Sequence, residues 1–139
     1  MTRFPSKDRL DPVKDVIATA REALASHGLK LHLASDANIE DDLWNNVAAY
    51  LWACRYGLAL FENRVERGLS YNLVIEVGAM LATGRRCALL KDTTQDKLPS
   101  DLVGHIYRSV DFDDLSTVSA EVHAWAANDL GFGRCKNCQ

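Results

Sequence analysis

Apolar positions recur at helical spacing in the first third of the chain. Val13, Val16, Ile17, Ala20 and Leu24 fall on one stripe of period 3.6, which predicts an amphipathic helix from Asp11 to His27. Asp11 suits the N-cap, Pro12 the first helical position, and Gly28 ends the helix. Leu29 to Ala34 then alternates apolar and polar positions, the pattern of a short strand. Ser35 to Asp42 is a polar loop, with Asp41 or Asp42 capping a second helix that carries Leu43, Val47, Tyr50, Leu51 and Cys54 on one face.

The middle of the chain changes character. Gly57 to Phe61 is a continuous apolar run of strand length, as expected for a strand covered on both faces. Glu62 to Tyr71 is a charged loop containing Gly68. Asn72 to Thr83 is helical, with Leu73, Val77, Met80 and Leu81 inward and Gly84 just past its end. Cys87 to Leu90 is a second buried strand and Ile106 to Phe112 a weaker one. A last helix over about Asp114 to Asp129 aligns Leu115, Val118, Val122 and Trp125 and stops at Gly131.

The order is helix, strand, helix, strand, helix, strand, strand, helix. Alternation at this spacing predicts βαβ units in an open parallel sheet with helices on both faces. Residues 1–132 read as one α/β domain and 133–139 as a flexible tail. A doubly wound sheet normally opens with a central strand. Residues 1–10 hold too few apolar side chains for one, so the opening strand is either absent or reduced to Arg3 and Phe4. Its absence would leave a slot at the sheet centre for another segment or another chain.

Composition narrows the classes. A formal net charge of −3 gives no basic excess to attract a nucleic acid, and the longest apolar runs fall far short of the roughly 20 residues that span a bilayer. No leader pattern follows Met1, and the cysteines form no disulfide framework, so a cytoplasmic protein with reduced thiols is expected. Cys135 and Cys138 form half a zinc ribbon; Cys54 and Cys87, placed in core elements, do not complete it, and no metal is expected. His27, His32, His105 and His123 are scattered, without metal-ligand spacing. No phosphate loop of Walker or Rossmann spacing is present, and Ser100 lacks a nucleophile elbow.

Two motifs in order carry more weight. Asn72-x-x-x-Glu76-x-Gly78 opens a helix before a Gly turn and a strand, and Leu98-Pro99-Ser100-Asp101-Leu102-x-Gly104-x-x-Tyr107 follows, with Asp111 beyond. Together with the Asp41–Val47 helix start and the Gly57–Glu62 strand, they resemble the bacterial TIR-like nucleotide-binding family over Leu29 to Trp125. The resemblance implies a flavodoxin-like fold and, in many members, cleavage of the nicotinamide–ribose bond of NAD, often in antiphage defence. It also implies activation by self-association, with a fused or separate sensor domain. Related nucleoside deoxyribosyltransferases place a similar Glu on the sugar.

Glu76 is the expected catalytic residue. Cleaving an N-glycosidic bond passes through an oxocarbenium-like sugar, whose charge a nearby carboxylate stabilises. Nicotinamide leaves as a neutral molecule, so NAD is a substrate and no further cofactor is called for. Asn72, Glu62 and Asp36 are candidate pocket residues, the last two at the carboxyl ends of predicted strands, where open α/β sheets bind ligands. Trp44 is a candidate to stack on a flat cationic ring. Each has a plainer reading: Glu76 as a favourable acid in a helix's first turns, Asn72 as an N-cap, Glu62 and Asp36 as loop acids, and Trp44 as packing. A non-catalytic nucleotide-binding or assembly module and a deoxyribosyltransferase remain alternatives to the glycohydrolase.

Overall fold

The computed structural model describes Met1, Asp11 and residues 13–36, 42–99 and 107–133. Helix α1 spans Lys14–Ala25 and α2 spans Leu43–Ala53. Strand β1 is Tyr56–Phe61, α3 is Tyr71–Ala82, β2 is Arg86–Asp92 and β3 is Tyr107–Val110. Helix α4, Leu115–Ala124, runs on into a π-helical turn at Trp125–Asp129. The three strands lie in the order β1-β2-β3, all parallel, with Leu58 opposite Ala88 and Leu90 opposite Arg108.

The alternation of strand side chains divides the core in two. Leu58, Leu60, Ala88, Leu90 and Val110 point to one face, where Val16, Ala20 and Leu24 of α1 meet Val118 and Val122 of α4. Ala59, Phe61 and Leu89 point to the other, against Leu73 and Val77 of α3 and Leu98. Helices on both faces explain why β1 and β2 read as unbroken apolar runs rather than alternating ones. The helix ends follow local rules. The Ser70 hydroxyl caps α3 by accepting from the Leu73 N–H at 3.4 Å. Gly84, at φ 75°, closes it while the Arg85 N–H reaches the Met80 carbonyl at 3.0 Å. The cap is therefore Ser70 and not Asn72. At α1 the Asp11 carboxylate accepts from the Val13 N–H at 3.0 Å, although the helix begins only at Lys14.

The expected strand at Leu29 to Ala34 is not part of the sheet. Its alternation is real: Leu29, Leu31 and Leu33 are half-buried, while Lys30 and His32 are exposed. What it lacks is a neighbour. The Leu29 N–H turns back to the Leu24 carbonyl and the Leu33 N–H goes to the Asp36 carboxylate. Lys30, Leu31 and His32 make no backbone hydrogen bond among the described residues. Side-chain pattern survives where no ladder forms. Nε2 of His27 and Nδ1 of His123 meet at 2.9 Å where α1 packs on α4. Arg3, Phe4, Pro12, Asp41, Ser100, Asp101, His105, Cys135 and Cys138 lie outside the described residues.

The carboxyl ends of the strands are tied by one cation. Arg64, in the loop after β1, sends Nε to Asp92 at 2.8 Å, Nη1 to Asp113 at 2.6 Å and Nη2 to Asp111 at 3.4 Å. Asp92 ends β2 fully buried and also accepts from the Phe112 N–H at 2.9 Å and from the Thr94 hydroxyl. Burial pushes the Asp92 carboxyl up, but the bonds from Arg64, Thr94 and Phe112 outweigh it and hold it below the usual carboxylate range. A depressed pKa stabilises the fold above the ordinary carboxylate range, and that stability is lost as pH falls through the folded value. Asp92→Asn is therefore expected to cost about 2–4 kcal/mol at pH 7, since it weakens a buried charge-assisted cluster. Urea unfolding of both proteins from pH 7 down to pH 3 checks this, with the gap between them narrowing as the pH drops.

Candidate functional site

Beside the edge of β1 that faces away from β2 lies a cleft of about 550 Å³. Its walls are the two helical layers: Ile17, Leu24 and Trp125 on one side, and Val47, Tyr50, Leu51, Glu76 and Met80 on the other. Its two rims are backbone, the segment Leu29–Ser35 and the start of β1 from Tyr56 to Leu58. The volume lies in the range of small-molecule sites, and the lining is mostly apolar with a few polar groups, as such sites usually are.

Glu76 is the one expected site residue that lines this cleft. It stands halfway along α3, half-buried. Burial raises its carboxyl above the usual carboxylate range, and the Met1 ammonium partly opposes the shift. The other expected residues lie elsewhere. Asn72 is exposed in the first turn of α3, and Trp44 is 53% exposed at the start of α2. Asp36 accepts from the Leu33 N–H at 2.8 Å and stands 3.6 Å from Arg21. Glu62 is buried at the carboxyl end of β1, where its Oε2 accepts from the N–H groups of Arg64 and Val65 and folds the loop back on the strand.

Sequence reasoning missed the residues that surround Glu76. Tyr50 and Tyr56 bring aromatic surface to the cleft, and Gly57 forms its wall against α3. A Cβ on Gly57 would come within 2.7 Å of the Cys87 sulfur and 2.9 Å of the Met1 methyl, so a larger residue there would have to displace those side chains. The signal available was modest: a glycine inside a buried strand marks a close approach. Cys54 and Cys87 lie near the same wall, yet burial pushes the Cys87 thiol up to about 11 and raises Cys54 as well. Both are held as thiols at neutral pH, which is wrong for a nucleophile. Among the described residues no group of three or more His, Cys, Asp or Glu side chains is arranged to hold a metal, and no helix is long and apolar enough to cross a membrane.

Compared with known proteins, the chain matches no family model, no curated protein and no solved structure. The cleft sets the Glu76 carboxylate in a largely apolar wall, with the Asp11 carboxylate, bonded to the Val13 N–H, also on its lining, a setting that favours stabilising a positive charge in an approaching ligand.

A half-buried carboxylate held above its usual pKa opposes folding once it ionises, because the unfolded chain bears that charge more easily. Glu76→Gln is expected to raise the melting temperature by about 2–4 °C at pH 8 and to leave it unchanged near pH 4. Thermal unfolding at the two pH values checks this. A lower melting temperature at pH 8 would show that Glu76 serves the fold.

Proposed function

We propose that this α/β domain binds a dinucleotide such as NAD in the cleft and hydrolyses its nicotinamide–ribose bond, with Glu76 as the catalytic carboxylate. One observation carries the reading. The acid that the motif order singles out is also the one expected site residue on the wall of the cleft, held there half-buried among apolar and aromatic neighbours. The finer fold proposed with it is flavodoxin-like, with the opening central strand missing from the described sheet.

The chemistry asks little of the protein beyond position and charge. The C1′–N bond breaks with its electron pair going to the pyridinium nitrogen, and nicotinamide departs neutral. The ribose is left as an oxocarbenium ion, which the Glu76 carboxylate stabilises across a short distance in a medium of low dielectric. Water adds to C1′ and releases its proton to solvent. Ionised Glu76 also accepts hydrogen bonds from ribose hydroxyls and fixes the sugar, while Tyr50 and Tyr56 give flat surfaces to a base or to nicotinamide. Self-association would bring the activity on, as the resemblance implies.

A second reading, a binding or assembly module without catalysis, is favoured by the dispersal of Asn72, Glu62, Asp36 and Trp44 away from the cleft. Nicotinamide release separates the two. Concentrated protein is incubated with NAD, with and without a crowding agent, and product is read by chromatography. Wild type is expected to release nicotinamide and Glu76→Gln to fall at least 100-fold below it. The acid limb of the rate profile is expected above the ordinary carboxylate range, because only ionised Glu76 works and burial raises its pKa. Equal release by both proteins overturns the role of Glu76. No release by the wild type, with NAD still raising its melting temperature, supports the module.

A further inference from the structure

The two ends of the sheet differ in charge. At the carboxyl ends Asp92, Asp111 and Asp113 gather around Arg64. At the amino ends Arg55 directly precedes β1, and Arg85 directly precedes β2, whose first residue, Arg86, pairs with Tyr56. Neighbouring strands lie about 5 Å apart, so three arginines crowd the start of two adjacent strands. All three line a second cavity of about 720 Å³, together with Trp52, Tyr56 and Leu130. Among the described residues no Asp or Glu lines this cavity, and none of the three arginines is paired with a carboxylate, as Arg21, Arg64 and Arg108 are. Asp129 gives Arg86 its backbone carbonyl, while its carboxylate goes to Arg108.

Like charges crowded on adjacent strands repel. Part of the charge is answered locally, because α2, α3 and the turn after α4 all end at this cavity and helix C-termini favour cations. Arg85 is placed for that role. Its Nε and Nη2 reach the Cys54 and Trp52 carbonyls, each at 3.1 Å, and its Nη1 reaches the Thr83 hydroxyl at 2.6 Å. The magnitudes do not balance. Three helix ends carry roughly half a negative charge each, about −1.5 together, against three full positive charges. A surplus of about +1.5 is left there, on a chain whose formal net charge is −3. Residues 134–139 add Arg134 and Lys136 and no acidic side chain.

We propose that this cavity binds a small molecule through a diphosphate group held by Arg55, Arg85 and Arg86. A planar carboxylate takes one guanidinium fork, whereas each tetrahedral phosphate offers oxygens to forks arriving from different strands. Two linked phosphates also concentrate several negative charges where the surplus lies. The guanidiniums are held in advance. Arg85 spends three of its five N–H groups on the protein and lies 5.0 Å from the Trp52 ring centre, and Arg55 lies 5.3 Å from that of Tyr56. Groups fixed before the ligand arrives lose less freedom on binding. The volume lies in the range of small-molecule sites, and Trp52, 69% exposed, adds aromatic surface for a nucleotide that bears the diphosphate. Ala53, Cys54, Arg55 and Tyr56 also line the cleft of Glu76, but the site rests on the arginines and stands without the catalytic reading.

The test is calorimetric titration of the full chain with inorganic pyrophosphate, ADP and citrate at low ionic strength. Arg55→Gln and Arg86→Gln are titrated in parallel, with Arg21→Gln as the control for charge alone. Arg55 and Arg86 are exposed, so replacing them leaves the helix end held by Arg85 intact. Wild type is expected to bind pyrophosphate saturably, with Arg55→Gln and Arg86→Gln each at least fivefold weaker and Arg21→Gln within twofold of wild type. Citrate, which has several charges but only planar carboxylates, is expected to bind at least tenfold more weakly than pyrophosphate. ADP binding tighter than pyrophosphate, with the excess lost in Trp52→Ala, assigns the diphosphate to a nucleotide; equal affinity assigns it to the free anion. No saturable binding, unchanged binding in Arg55→Gln and Arg86→Gln, or equal weakening by Arg21→Gln overturns the site. So does citrate binding as tightly as pyrophosphate, which would reduce the site to a patch of positive charge.

Discussion

A parallel strand buried on both faces needs hydrogen-bonding neighbours along both edges, because a buried N–H or C=O left unpaired costs about as much as a lost hydrogen bond. In this protein β1 is the strand under that constraint. One edge is met in full by β2, from Tyr56 opposite Arg86 to Phe61 opposite Lys91. Among the described residues the other is met at one position, by Met1. The cleft, the position of Glu76 and the failure of Leu29–Ala34 to join the sheet all follow from that half-filled edge. The two rims of the cleft are the two backbones that a further strand would join.

At the opposite end of the sheet the chain is closed. Arg64 collects Asp92, Asp111 and Asp113, and Glu62 and Asn63 hold the loop after β1 to its own strand and to Thr94. Open α/β sheets bind ligands at the carboxyl ends of their strands, and here that region beyond β2 and β3 is occupied by the protein's own ion pairs. Open space is found beside β1 instead. Glu76 is placed there because α3 runs back along the sheet from the carboxyl end, so a residue in its second turn comes level with the middle of β1.

Much of this could be read from residue order, for local reasons. The run Gly57–Phe61 is apolar without interruption because helices cover it twice, and α3 and α4 keep their periodicity because each buries one stripe. The slot expected from the apolar poverty of residues 1–10 rests on a segment that, apart from Met1, lies outside the described residues. What escaped was non-local. Leu29–Ala34 has the alternation of a strand, but a strand is completed by a neighbour and no pattern within six residues reports one. Arg64 meets carboxylates 28, 47 and 49 positions away, at separations no short motif records. His27 and His123 are 96 positions apart, and only the packing of α1 on α4 joins them. Asn72 and Ser70 are equally good caps by residue type; the backbone decided for Ser70. Glu76 was legible because its motif and its helix are local, whereas the cleft that gives it meaning is assembled from segments spread from Met1 to Phe132.

The half-filled edge is tested most directly by amide hydrogen exchange on the chain alone. Leu58 and Ala59 are neighbours on one buried strand, and they differ in which edge their N–H groups face. Ala59, turned to β2, is expected to exchange at the slow rate of the sheet core. Leu58, turned to the cleft, is expected to exchange at least 100-fold faster. Equal and strong protection at both residues would mean that the edge is already paired, and the account of the cleft would be wrong.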